Sequence, residues 1–229
     1  MSDLEGIRPL ARVTRIGRRP NPWAWPPWEA QDSDNTFGNR WDDPEGIYRV
    51  LYACTHLEGP YVEVLSRFRP DPVVLAELAE IDGSTEDYQI GTVPAAWLET
   101  RAIGEAALAS IYADVGDVRS LTYLRAVMAA RLVHYDVRDL DAATIRLSAP
   151  RRFTQEISNH IYRLSLPDGT PRFAGLEYES RLGDNCQNWA IFERPDQWPV
   201  TDPTIRPIRR DDPGLHAALA ALGLTLAKT

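Results

Sequence analysis

Apolar and polar residues alternate over Ala11–Ile16 (ARVTRI), which predicts a short half-buried strand. The pattern then breaks. GRRPNPWAWPPWEAQDSDNTFGNR is dense in Pro, Trp, Asn and Asp, and its prolines lack amide donors and fix their backbone angles, so the segment suits neither a regular helix nor a central strand. Regular patterning resumes at Tyr48–Ala53, read as a strand, and at Pro60–Arg67, read as a helix with Pro60 in its first turn. Residues 71–78 read as a short helix, Tyr88–Val93 as a strand, and Pro94–Thr100 as a helical turn carrying Trp97 and Leu98. Asp114–Leu132 reads as a helix, with Val118, Leu121, Leu124 (or Arg125) and Met128 at helical spacing and Asp117 as a cap. Arg152–Leu164 places Ile157, Ile161 and Leu164 on one helical face, with Thr154 as its cap. Gly175–Tyr178 and Trp189–Phe192 read as strands joined by the polar turn ESRLGDNCQN, and Asp212-Pro213 opens an Ala/Leu-rich helix with Leu215, Leu219 and Leu222 in register. Early strands, a helical middle and late strands predict an α+β fold. No repeat or linker divides the chain, so one domain over 1–229 is expected, with a core at about 11–194 and a C-terminal helix at about 212–224.

Composition narrows the function classes. With 229 residues, 44% hydrophobic and 25% charged, the chain has enough apolar content for a sizeable core. A net charge of −8 argues against nucleic-acid binding, which usually shows a basic footprint, although a local basic patch for phosphate remains compatible with it. Two cysteines, Cys54 and Cys186, are too few for a disulfide framework, and the four histidines show no metal-ligand spacing, so no metal site is expected. The N-terminal residues lack the apolar run of a signal peptide, and no apolar stretch reaches membrane-spanning length. The expectation is a cytoplasmic protein.

Phe37–Glu63 (FGNRWDDPEGIYRVLYACTHLEGPYVE) concentrates the candidate chemistry. It sets Arg40 in a turn-prone loop, tyrosines on the following strand and Glu63 on the next helix. Arg40 reads either as a surface arginine paired with a neighbouring acid or as a phosphate clamp, since a guanidinium engages phosphate oxygens in a bidentate way. Arg15, on the first strand, is a second candidate cation. A helical glutamate is ordinarily solvated, but Glu63 beside Val62 and Leu65 sits at the margin of an apolar face. A single carboxylate there suits stabilisation of an oxocarbenium-like centre. Ser180 is either a turn serine or a hydroxyl that positions a ligand; it lies in no G-x-S-x-G elbow. Asn185 and Asn188 either shape their turn or orient an amide or ribose. Trp23, Trp25 and Trp28 are expected to pin the Pro-rich loop, with stacking of one on an aromatic ligand as the alternative.

The order R…YRVLYA…E…TQ.IS..IY…GLEYESR…NWAIFE resembles the RES domain, over about Arg15 to Phe192. FGNRWDDPEGIYRVLYA and YESR…NWAIF are its specific parts. By that resemblance Arg40, Glu63 and Ser180 are the three namesake polar residues and the catalytic set, Tyr52 matches the strand tyrosine, and Arg15 matches an arginine near the nicotinamide-nucleotide pocket. Asn188 joins Arg15 and Tyr52 as an expected ligand contact. The resemblance implies an ADP-ribosyltransferase-like sheet, mixed or antiparallel, flanked by helices. It also implies consumption of NAD+ as substrate, by hydrolysis or phosphorolysis of the nicotinamide–ribose bond or by ADP-ribosylation of a protein, with no separate cofactor. It further implies a toxin with a cognate antitoxin as partner; homo-oligomerisation is left open. Two departures stand out: the elaborate Trp/Pro-rich loop before Arg40, and a long insert, read as helical, between Glu63 and Ser180.

Overall fold

The structure, a computed structural model, describes residues 3–80, 90–147, 150–183, 186–195 and 197–228. The main sheet runs, neighbour by neighbour, β1 (Gly6–Ile7), β6 (Tyr112–Asp114), β7 (Gly175–Glu179), β8 (Gln187–Phe192), β3 (Val50–Cys54), β2 (Val13–Arg18), β5 (Arg101–Leu108) and β9 (Val200–Pro207). β6 and β7 run parallel and every other neighbouring pair is antiparallel. A separate parallel pair joins β4 (Thr92–Val93) to β10 (Thr225–Leu226). The fold is α+β with a mixed sheet.

The two central strands bury both faces, and side-chain alternation sorts them into two cores. Val50 and Tyr52 of β3 join Ala190 and Phe192 of β8 on one face. Against that face pack Leu124 of α4 (Val118–Val127), Leu132 of α5 (Ala129–His134), Ile145 of α6 (Ala142–Leu147), and Phe153, Ile157 and Ile161 of α7 (Arg151–Arg163). Leu51, Ala53, Trp189 and Ile191 point the other way, onto Val13 and the fully buried Trp23. A third cluster packs α1 (Gly59–Leu65), α3 (Ala96–Glu99) and α8 (Pro213–Leu222) over Ile16 and Ile103. α2 (Pro72–Glu80) lies apart, with Val73, Val74 and Leu75 exposed.

Several predicted elements need correction. Asp114 belongs to β6, and its carboxylate accepts from the amides of Gly116 and Asp117, so the long helix begins only at Val118 and breaks at Met128 into α4 and α5. Asp117 does cap it, accepting from the Arg119 amide at 2.7 Å. Val118, assigned to the apolar face, is 72% exposed. Thr154 is not a cap: Pro150 holds that position, and Thr154 lies inside α7. Only Thr92–Val93 of the predicted Tyr88–Val93 strand is a strand, and residues 88 and 89 lie outside the described residues. The interval between Glu63 and Ser180 is not a helical insert. It supplies β5, β6 and most of the flanking helices, so it is part of the frame.

The Pro-rich loop is pinned as expected. The Trp23 ring covers Gly104 of β5 so closely that a Cβ there would stand 2.3 Å from Nε1. Trp25 meets Trp198 edge-on at 6.0 Å, and Trp28 lies 5.0 Å beneath the Arg49 guanidinium.

Glu177, on β7 opposite Trp189, is a buried carboxyl whose pKa is pushed up to about 7, by desolvation first and then by the nearby charge of Asp114. The folded state therefore keeps a proton that the unfolded chain releases near pH 4.5, and stability falls as pH rises from there through about 7. The loss is on the order of 3 kcal/mol. Glu177→Gln is expected to remove this slope, matching wild type near pH 4 and melting higher at pH 8; thermal unfolding against pH measures it.

Candidate active site

A cleft of about 730 Å³ opens beside β3. It is lined by four arginines (Arg15, Arg40, Arg151, Arg181) and, among the described residues, by one carboxylate, Glu63. In a chain of net charge −8 this is a concentrated positive field. The Pro-rich loop forms part of the wall through Pro26 and Phe37–Asn39, but Trp23, Trp25 and Trp28 do not line it.

Arg40 follows a turn made at Gly38, whose φ is +77°, a value that favours glycine. Its guanidinium lies 4.9 Å from the Tyr178 ring centroid and 6.0 Å from that of Trp41, and Nη1 donates to the Ile145 carbonyl at 3.3 Å. Among the described residues no carboxylate stands within ion-pair distance of it, so the paired-surface reading fails. Burial lowers its pKa, with Tyr178 and Glu63 opposing that shift. A half-buried cation without a counter-ion carries an unrelieved desolvation cost, which an anionic ligand would offset.

Tyr52 forms the cleft wall, but its hydroxyl is engaged elsewhere. It donates to Asp42 Oδ1 at 2.9 Å and accepts from the Trp41 amide at 3.2 Å. Asp42 is buried, desolvation raises its pKa, and its Oδ2 takes the Asn39 amide at 2.7 Å. The two side chains thereby tie the arginine loop to β3. Arg15 also has structural ties: Nε donates to the Pro22 carbonyl (2.7 Å) and Nη1 to that of Tyr52 (2.8 Å). Desolvation brings its pKa down to about 10.

Glu63 sits in the middle of α1, on the turn facing β8 and the end of β7. Val62 and Leu65 face the core beside it, as the apolar pattern predicted. Its Oε1 accepts from Ser180 Oγ at 2.6 Å and from Asn188 Nδ2 at 2.9 Å. Its Oε2 has no hydrogen-bond partner among the described residues. Ser180 is fully buried, also accepts the Leu182 amide at 3.0 Å, and is not among the residues lining the cleft. The site thus joins a carboxylate to two neutral donors from a strand pair more than a hundred residues away. Asn185 lies outside the described residues.

Sequence reasoning passed over Arg151, Arg181, Tyr178 and Asp42. Arg181 and Tyr178 stand in the quoted YESR segment and Asp42 beside Arg40, so adjacency to those motifs was the available signal; nothing in the sequence marked Arg151. The two cysteines are free and buried. Cys54 crowds Gly59 at the start of α1, where a Cβ would lie 2.1 Å from Cys54 Sγ, with Cys186 Sγ in ordinary contact at 3.5 Å. Burial pushes the Cys54 thiol up to about 12, which keeps it protonated near neutral pH.

No protein-family model and no curated protein matches the chain. Among solved structures, a chain from the crystal structure of the M. tuberculosis MbcT–MbcA toxin–antitoxin complex is similar at 13% identity and a TM-score of 0.46, over 95% of this chain and 92% of that one. Likeness of that degree establishes no family. Among the described residues no helix is long and apolar enough to cross a membrane, and no group of three or more His, Cys, Asp or Glu side chains is placed to hold a metal ion.

Ser180→Ala tests the link to Glu63. Removing the hydroxyl leaves Oε1 with one donor and takes the acceptor from the half-buried Leu182 amide. An unsatisfied buried group costs about 1–3 kcal/mol. The variant is expected to melt lower by that amount, as denaturant titration would read.

Proposed function

We propose that the chain is an NAD+-consuming enzyme of the RES type, with an ADP-ribosyltransferase-like fold, that cleaves the nicotinamide–ribose bond. The observation that carries this reading is Glu63. Its Oε1 is fixed by Ser180 and Asn188 and, among the described residues, its Oε2 has no hydrogen-bond partner, in a cleft whose other charged lining residues are four arginines. A dinucleotide fits that distribution of charge. Its diphosphate needs cations, and the ribose carbon that loses nicotinamide needs one anion. In the reaction the C1′–N bond breaks with its electron pair passing to the ring nitrogen, which becomes neutral. The ribose is left oxocarbenium-like, the charge that a preorganised carboxylate stabilises. Water or phosphate then adds at C1′, and water loses a proton to solvent.

Arg40, with its open guanidinium, takes the diphosphate in this reading, and Arg15 supports the wall against which the ligand lies. Tyr52 offers its ring, since its hydroxyl is engaged. Ser180 and Asn188 act through Glu63, holding one carboxylate rotamer. The RES resemblance extends the reading to a toxin with a cognate antitoxin.

The test is incubation of the purified protein with NAD+, following nicotinamide release and identifying products by mass spectrometry with water, phosphate and protein acceptors. Release is expected. A folded protein that leaves NAD+ intact with every acceptor rejects the enzymatic reading, and calorimetry then asks whether the cleft binds NAD+ without turnover.

A further inference from the structure

α7 carries an unusual face. Thr154, Gln155 and Ser158 are almost wholly buried, and each donates to the backbone of the arginine loop. Gln155 Nε2 reaches the Asn39 carbonyl at 3.0 Å and Ser158 Oγ the Trp41 carbonyl at 2.7 Å, while the one proton of Thr154 Oγ1 is shared between the Arg40 carbonyl and the Arg151 carbonyl of α7, each at 2.9 Å. Three consecutive carbonyls thus hang from one helix. One turn further on, Asn159 Nδ2 holds Asp43 Oδ1 at 2.8 Å. From the other side Asp42 and Tyr52 take the amides of Asn39 and Trp41. The acceptors are backbone carbonyls with no apolar replacement, so an apolar helix face would leave them unpaired, at about 1–3 kcal/mol for each one that is buried; the polar set is what docks this loop on α7.

We propose that Thr154, Gln155 and Ser158 are positioning residues for Arg40, a clamp that fixes the loop backbone so that the guanidinium stands at one place in the cleft to receive a diphosphate. The choice of diphosphate rests on the proposed function; the clamp rests on the hydrogen bonds. A loop that is irregular on both sides of Arg40 has no ladder to hold it, and a guanidinium swinging by an ångström loses bidentate geometry.

The probes are inorganic pyrophosphate, followed by calorimetry, and hydrogen exchange at the Asn39 and Trp41 amides. Thr154→Val keeps shape and removes one donor, and Gln155→Met does the same at the neighbouring carbonyl, so one misfolding variant does not end the test. Each is expected to weaken pyrophosphate binding about tenfold, near 1.4 kcal/mol, and to speed exchange at both amides. Thr154→Ser is expected to restore both, which a merely space-filling role would not predict. Pyrophosphate affinity unchanged in both variants, exchange unchanged, or a loss that Thr154→Ser does not repair would overturn the clamp. So would a wild-type protein that does not bind pyrophosphate. A wild type that binds pyrophosphate through the clamp but leaves NAD+ intact rejects the proposed reaction and leaves the clamp standing.

Discussion

Glu63→Gln is expected to lower nicotinamide release by about 10²–10³-fold while NAD+ affinity changes only a few-fold. The substitution is nearly isosteric. The amide oxygen can still accept from Ser180 Oγ and Asn188 Nδ2, so the side chain keeps the place that those bonds at 2.6 and 2.9 Å define. Only the charge is removed. If the carboxylate acts on positive charge that develops as the bond breaks, the loss falls on kcat, because the ground-state ligand is held mainly by the arginines. Steady-state kinetics together with equilibrium binding separate the two. A Glu63→Gln enzyme within threefold of wild-type kcat would remove Glu63 from the chemistry. A KM effect at constant kcat would make it a binding group instead.

The largest effect on stability is expected at Gly175. It opens β7, opposite Ile191 of β8, and a Cβ there would stand 2.0 Å from the Ala190 carbonyl oxygen and 2.9 Å from the Tyr112 ring. The first of these is backbone of a central strand and has no rotamer through which to escape. Gly175→Ala therefore has to separate β7 from β8, at a cost of about 3 kcal/mol or more. For a chain of this length that corresponds to a melting temperature lower by roughly 6–12 °C. Gly183, with open space around it, is the control: Gly183→Ala should melt close to wild type. Equal melting of the two variants would mean that β7 shifts without cost. The same separation would displace Ser180, which follows the end of β7 and supports Glu63 from below.

The local parts of this architecture were legible in the sequence. β3, β8 and α7 announce themselves through alternation or helical periodicity, because each buries a defined face. β5 does not: RAIGEAAL is rich in residues that favour helix, and it is a strand because it sits between β2 and β9 with Trp23 over Gly104. β9 was hidden by Pro203 and Pro207, which suit it to the sheet edge where it lies. The site was legible in its ingredients and not in its wiring. The pattern offered Ser180 and Asn188 as ligand contacts; Asn188 lines the cleft, Ser180 does not, and both hydrogen-bond to Glu63, a relation that needs the strand register. Thr154 looked like a cap because caps and loop clamps use the same hydroxyl, and only the position of the arginine loop distinguishes them.

The separation of Glu63 from Ser180 by 117 residues has a consequence for biosynthesis. At translation rates of about 5–20 residues per second, the carboxylate emerges on the order of ten seconds before its hydroxyl partner. Throughout that interval Glu63 stands on a short helix without the β7–β8 hairpin that fixes it, and the β3–β8 pairing has not formed. A nascent chain, or one terminated before the hairpin, has the arginine loop and the glutamate but no organised carboxylate. Any activity of this protein thus begins only after the chain has been made as far as Phe192 and β8 has paired with β3 and β7.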